Sequence, residues 1–396
     1  MTSPRRPVTP SKVLMLTATL ALGACASVPR QPYTAAEAQA AEVAGIPNAR
    51  AFADASVATL TAMMAAPGAR ARPFAYLALS GGGGDGAYGA GVLKGWSEAG
   101  TRPEFSLVSG VSTGALTAPF AFLGPAYDPV LEEIYTSGVA STLVKDPNLV
   151  NVVFGSGLFG DGRLRDLVGR YVTPDLLAAV AAEHAKGRRL LVVTTNLDSK
   201  RAMIWNMGVI AASGAPNAAA LFRDVLTASA SVPAVFPAQL LDVEAAGHGF
   251  QELHVDGSVV TPVFTVPQAV IANGRGHVSA PTKADIYVLM NGRIEPDFEL
   301  VPDDTLSIVK ETVATGSQAR SRASLAATYA FARANRIGFH LTYIDGAAPR
   351  TTAAKGFDTA YMRSLHRIGY EKARSGTAWQ DTVPVAPIVA STLASR

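Results

Sequence analysis

The chemistry of this chain is concentrated in Gly110-Val111-Ser112-Thr113-Gly114, a Gly-x-Ser-x-Gly run directly after the apolar stretch Phe105-Ser106-Leu107-Val108. A serine there stands on a sharp strand-to-helix turn with its hydroxyl projecting from the sheet edge. Glycines at Gly110 and Gly114 permit the tight backbone and the close approach of a substrate carbonyl. A serine hydroxyl is a weak nucleophile unless a base takes its proton and donors receive the oxyanion. The chain carries candidates for both tasks.

The donors are sought in Ser80-Gly81-Gly82-Gly83-Gly84-Asp85-Gly86. Successive glycine N–H groups leading into a helix N-terminus converge on negative charge, with the helix dipole assisting. Gly81, Gly83 and Gly86 also satisfy Gly-x-Gly-x-x-Gly, the pattern of a dinucleotide loop. That use requires an acid at the end of the next strand, whereas Glu104 precedes its strand. A Walker-type Gly-Lys-Ser/Thr is absent. With the serine turn following closely, an oxyanion hole is the stronger reading of the glycines.

The base is sought in Asp256-Gly257-Ser258, which follows the strand-like Leu253-His254-Val255. An aspartate at a strand end can point its carboxylate at the serine turn and take the proton directly, although Asp-Gly is also a common plain turn. The six histidines leave another arrangement open. Asp256 with His277 or His340 satisfies the acid-then-histidine order of a hydrolase triad, and His254 is placed to tune Asp256.

The elements that position these groups alternate in type. Expected strands are Phe74 to Leu79, Phe105 to Val108, Leu190 to Asn196, Ala202 to Asn206, His254 to Val255, Asp285 to Met290 and Gly338 to Ile344. Expected helices cover Ala87 to Ala99, Ala115 to Phe122, Leu164 to Tyr171, Pro174 to Ala185, Ala218 to Ser229, Thr305 to Ala332 and Tyr361 to Ala373. That order predicts an α/β fold with a parallel sheet and helices on both faces. Before it, Thr34-Ala35-Ala36-Glu37 has capping-box spacing, and a second helix is expected over Ala51 to Met64.

The chain has 396 residues, 48% of them hydrophobic, and a formal net charge of +3. Its basic runs are short, which argues against nucleic acid as a partner. Arg5, Arg6 and Lys12 precede the apolar Val13 to Ala24, a run too short to span a bilayer, and Leu22-Gly23-Ala24-Cys25 follows. This start resembles the bacterial lipoprotein signal, which implies cleavage before Cys25 and acylation of its thiol. Ala26 in place of aspartate implies the outer membrane. The expected division is a signal peptide over 1–24, a lipidated tether over 25–32, a helical segment over 33–72, and a catalytic domain with a C-terminal helical extension over 73–396.

The blocks Ser80 to Gly86, Gly110 to Gly114 and Asp256-Gly257 together resemble the patatin-like phospholipases in order and spacing. So do Leu93-Lys94-Gly95-Trp96, Ala228-Ser229-Ala230-Ser231-Val232-Pro233 and Phe236-Pro237. The resemblance implies a three-layer α/β/α sandwich with a mainly parallel sheet, and hydrolysis of lipid acyl esters without cofactor or metal. It assigns Ser112 as nucleophile, Asp256 as base without histidine, and Gly82, Gly83 and Gly84 as the oxyanion donors. Membrane lipid is the implied substrate. Two departures stand out. Asp85 occupies a place where the family often has Arg or Lys, which weakens any expectation of preference for anionic lipid. Ser258 follows Asp256-Gly257 where Gly or Ala is usual. The other readings are a His-dependent esterase or thioesterase, and a catalytically silent lipid-binding lipoprotein. The Ala228 to Pro237 block is expected only to shape the cleft wall.

Overall fold

Residues 30–65, 73–144, 162–273, 283–295, 300–346, 348–349 and 356–384 are described by a computed structural model. Cys25 and the proposed signal, like His277, lie outside them.

Thr34 caps the first helix as its spacing predicts. Its hydroxyl accepts the Glu37 N–H at 3.2 Å, and the Glu37 carboxylate accepts the Thr34 N–H at 2.7 Å. Helix α1 (Ala35–Ala40) follows, then strand β1 (Arg50–Phe52) and helix α2 (Val57–Met64). The single helix expected over Ala51 to Met64 is therefore corrected. Arg50 to Phe52 are extended because they pair antiparallel with Trp205 to Met203, and that tertiary contact overrides the local alanine-rich pattern.

The body begins with β2 (Phe74–Leu79), almost wholly buried, and α3 (Gly86–Glu98). Next come β3 (Leu107–Val111), α4 (Thr113–Leu123) and α5 (Asp128–Thr136). Helices α6 (Arg163–Tyr171) and α7 (Pro174–Ala185) lead into β4 (Arg189–Asn196) and β5 (Arg201–Asn206). After α8 (Met207–Ala212) and α9 (Ala218–Ser229) the chain forms the hairpin β6 (Gln239–Ala245) and β7 (His248–Asp256). It closes through α10 (Gln268–Asn273), β8 (Ala284–Leu289), α11 (Thr305–Asn335), β9 (Gly338–Thr342) and α12 (Thr359–Arg374).

The sheet order is β1-β5-β4-β3-β2-β8-β9, with β7 also pairing to β4 and β6 to β7. The central run β4-β3-β2-β8-β9 is parallel, and the strands added at the β4 side are antiparallel. Parallel strands buried on both faces read as continuous apolar runs, as β2 and β4 do. One face carries Leu93, Phe122, Leu131, Phe222 and Leu365 from α3, α4, α5, α9 and α12. The other carries Leu60, Met63, Leu325 and Ala332 from α2 and α11. The result is the α/β/α sandwich with a largely parallel sheet.

The β6–β7 hairpin is the part the expected elements lack. Leu241, Val243 and Ala245 alternate inward along β6, and β7 starts at His248, well before the expected His254. This longer β7 carries Asp256 to the sheet.

Candidate active site

Ser112 follows the last residue of β3 with φ 56° and ψ −125°, left-handed backbone that costs a non-glycine residue about 1–3 kcal/mol. Bystanders allow it. A methyl at Gly110 would collide with the backbone of Gly114, and one at Gly114 with the carbonyls of Leu79 and Ser80, so the turn closes only with glycine at both ends. Helix α4 starts at Thr113, which aims its N-terminus at the serine.

Strand register brings Asp256 to this turn. Val111 of β3 pairs with Val193 of β4, and the next β4 residue, Thr194, pairs with Asp256. The Ser112 Oγ donates to Asp256 Oδ2 at 2.5 Å, and Asp256 Oδ1 accepts the Ser258 N–H at 2.8 Å. Both residues are buried, Ser112 to 5% exposure and Asp256 to 1%. Burial pushes the Asp256 carboxyl up to about 6, with the Ser112 and Ser258 hydrogen bonds pulling the other way. Gly257 leaves room for the Val193 carbonyl.

The glycine loop lies over the serine. A methyl at Gly81 would stand 3.1 Å from Ser112 Cβ, and one at Gly86 would collide with the Thr113 and Tyr135 hydroxyls. The Gly81 N–H donates to the Pro262 carbonyl, whereas the N–H groups of Gly82, Gly83 and Gly84 find no partner among the described residues. Asn291, just beyond β8, anchors the loop. Its N–H donates to Ser80 Oγ at 2.8 Å and its Nδ2 to the Ser80 carbonyl at 2.9 Å. Its own carbonyl fills the space that a Gly82 side chain would need. At the dinucleotide acid position, the end of β3, this chain has Val111 and Ser112, while Glu104 lies before β3, 3.6 Å from Arg188.

His254 and His340 are engaged elsewhere. His254 is fully buried with Nε2 3.1 Å from Glu252 and Nδ1 2.9 Å from Thr194 Oγ1, and burial pushes its pKa down. The Glu252 carboxylate can only accept, so the proton of a neutral His254 sits on Nε2 and Nδ1 accepts from the Thr194 hydroxyl, which in turn accepts the Trp205 N–H at 2.8 Å. His340 on β9 has both ring nitrogens on carboxylates, Asp285 at 3.1 Å and Asp381 at 2.9 Å. Neither contacts the Ser112–Asp256 pair. Among the described residues no group of three His, Cys, Asp or Glu side chains is close enough to hold a metal ion.

Two residues that sequence reasoning gave no chemical role complete the site. The Ser229 hydroxyl accepts the Ser112 N–H at 3.1 Å and donates to the Val193 carbonyl at 2.6 Å. The Ser231 carbonyl accepts the Asp256 N–H at 3.0 Å. Small polar residues at and just beyond the C-terminal end of α9 were the available signal. Ser231, Phe236 and Pro237 also line a cavity of about 120 Å³ with Gly162, Leu164 and Arg165, none of them a residue of the Ser112–Asp256 pair or the glycine loop.

No curated protein matches the chain. Among solved structures, VipD from Legionella pneumophila aligns with 13% identity over 78% of this chain and 67% of its own, at a TM-score of 0.35. The family model described as patatin-like phospholipase matches from β2 to just past Asp256-Gly257. Residues 77–267 of this chain match the patatin-like phospholipase family.

Proposed function

We propose that the protein is a serine acyl-ester hydrolase of lipids, with Ser112 as nucleophile and Asp256 as its sole base. The observation that carries the reading is the 2.5 Å hydrogen bond from Ser112 Oγ to a buried carboxylate. The family match supports lipid esters as the substrate class.

Each step follows from that contact. Asp256 takes the Ser112 proton as Oγ attacks the acyl carbonyl carbon, and the oxygen that becomes negative lies against the Gly82–Gly84 amides. Collapse of the tetrahedral adduct expels the alcohol or lysolipid, which leaves with the proton from Asp256. Water then attacks the acyl-enzyme as Asp256 takes its proton, and collapse of the second adduct frees the fatty acid while Asp256 returns that proton to Ser112 Oγ. A carboxyl at about 6 is ionised at pH 7 yet basic enough to accept a proton. Acylation at Cys25 would hold this catalytic body on the bacterial outer membrane, next to its substrate. Several acyl chains on one residue anchor a protein stably.

The test is lipid mass spectrometry after incubating the mature protein with mixed phospholipids. Free fatty acid and lysolipid are expected from the wild type and from neither Ser112→Ala nor Asp256→Asn. Equal release by a folded Ser112→Ala variant contradicts the reading. Cys25→Ser is expected to leave the processed protein in the soluble fraction. Continued pelleting with outer membranes after a high-salt wash contradicts the anchor.

A further inference from the structure

The glycine loop is held from two sides, and both holds come from outside the family-matched residues 77–267. On the first side Asn291 ties down Ser80 and crowds Gly82. On the second, the carbonyl of Gly356 occupies the space that a Gly84 side chain would need, and the Phe357 ring lies 3.5 Å from where a Gly83 Cβ would stand. Four residues on, Tyr361 donates its hydroxyl to Asp85 Oδ1 at 2.8 Å. Asp85 is the residue between the three glycines and α3.

Tyr361 is a fixed point. It lies in the first turn of α12, where Asp358 caps the helix by accepting the Tyr361 N–H at 2.9 Å. Helix α12 then crosses α3 at backbone contact. Side chains at Gly91 and Gly95 would collide with the carbonyls of His366 and Tyr370, and one at Gly369 with that of Tyr88. Such a crossing admits little sliding. Burial pushes the Asp85 carboxyl up to about 6, with the Tyr361 hydrogen bond and the Arg293 charge pulling the other way, and the Arg293 guanidinium is itself held by the carbonyls of Asp345 at 2.6 Å and Ala348 at 2.8 Å. An acid at position 85, unexpected beside an oxyanion site, thus has a partner chosen for it.

We propose that Tyr361, acting through Asp85, is a positioning residue for the Gly82–Gly84 amides. The inference rests on the hydrolase reading above. The physical reason is that donors aimed at a developing oxyanion contribute only when held in place beforehand, and small misplacements are costly.

The experiment measures kcat and KM on a short-chain p-nitrophenyl ester, together with the rate of Ser112 phosphonylation by a fluorophosphonate, whose adduct places an oxygen at the oxyanion position. Tyr361→Phe removes one oxygen atom, and Asp85→Ala removes the acceptor. Each is expected to lower kcat and the phosphonylation rate about tenfold or more with KM within twofold, since aligned donors act on the transition state. The double variant is expected to be no worse than either single one. Asp85→Asn keeps an acceptor oxygen and is expected to restore most of the rate. A support of fold alone would lower the melting temperature and leave kcat intact well below it. Full kcat in folded Tyr361→Phe, additive losses in the double variant, or an effect confined to KM would overturn the inference while leaving the hydrolase reading intact. A wild type with neither turnover nor phosphonylation would overturn both.

Discussion

Glu252 and Asp256 are buried carboxylates on one strand, four residues apart and on the same face of β7, yet they face opposite chemistry. Burial pushes Glu252 up, but hydrogen bonds from His254 and Arg50 and the Arg50 charge more than offset it, so it ends below its ordinary value. Arg50 reaches Glu252 with both terminal nitrogens, at 2.5 and 3.0 Å. Asp256 has only neutral partners, a serine hydroxyl and a backbone N–H, and burial pushes it up to about 6. A carboxylate paired with a cation is a poor base, whereas one left with neutral donors is ready for a proton. The comparison separates a residue that joins the N-terminal strand to the body from one that is poised to react.

The largest expected effect falls on Asp256. Asp256→Asn keeps the shape and cannot take the Ser112 proton, so kcat is expected to fall about 10⁴-fold, as for loss of a catalytic base or its orientation. The same change is expected to stabilise the protein. A carboxyl moved from 3.8 to about 6 on folding binds its proton more tightly in the native state. Its ionisation therefore costs about 3 kcal/mol at pH 8, a cost absent below about pH 4. Urea unfolding at pH 8 and pH 4 checks this, with the variant's advantage present at pH 8 and gone at pH 4.

Arg50→Met should do the reverse. Leaving Glu252 buried without its cation, with only the His254 hydrogen bond, is expected to cost about 3–5 kcal/mol of stability, while the kcat of the remaining folded protein stays within a fewfold of wild type. Equal losses of kcat in the two variants would erase the distinction between the carboxylates. His254→Ala is a smaller change of the same kind, expected to cost about 1–3 kcal/mol by orphaning the Thr194 and Glu252 contacts. Its pH–rate profile should match that of the wild type.

The serine turn and the glycine loop were legible in the sequence because their geometry is local. Each needs glycines at fixed offsets and a strand before a helix, and β2, α3, β3 and α4 follow that order. Asp256 was legible as a strand-end Asp-Gly, although the reach of β7 was not. β6 carries its alternation in only three inward residues, Leu241, Val243 and Ala245. Its pairing makes β7 a strand from His248 onward. Arg50 to Phe52 misled in the opposite direction, since nothing within those residues says that β5 offers them an edge. Ser229, Asn291 and Tyr361 act on groups 117, 211 and 276 residues away. No short pattern records contacts of that range.

The claim that Asp256 alone serves Ser112 is tested most directly by the rate of fluorophosphonate labelling of Ser112 between pH 4.5 and 8.5. The account predicts one rise near pH 6 to a plateau, since the carboxylate is the active form above its pKa. That rise should be unchanged in His254→Ala and absent from Asp256→Asn, which should label at a small residual rate throughout. A rise that survives in Asp256→Asn, or that is lost in His254→Ala while the protein remains folded, would contradict it.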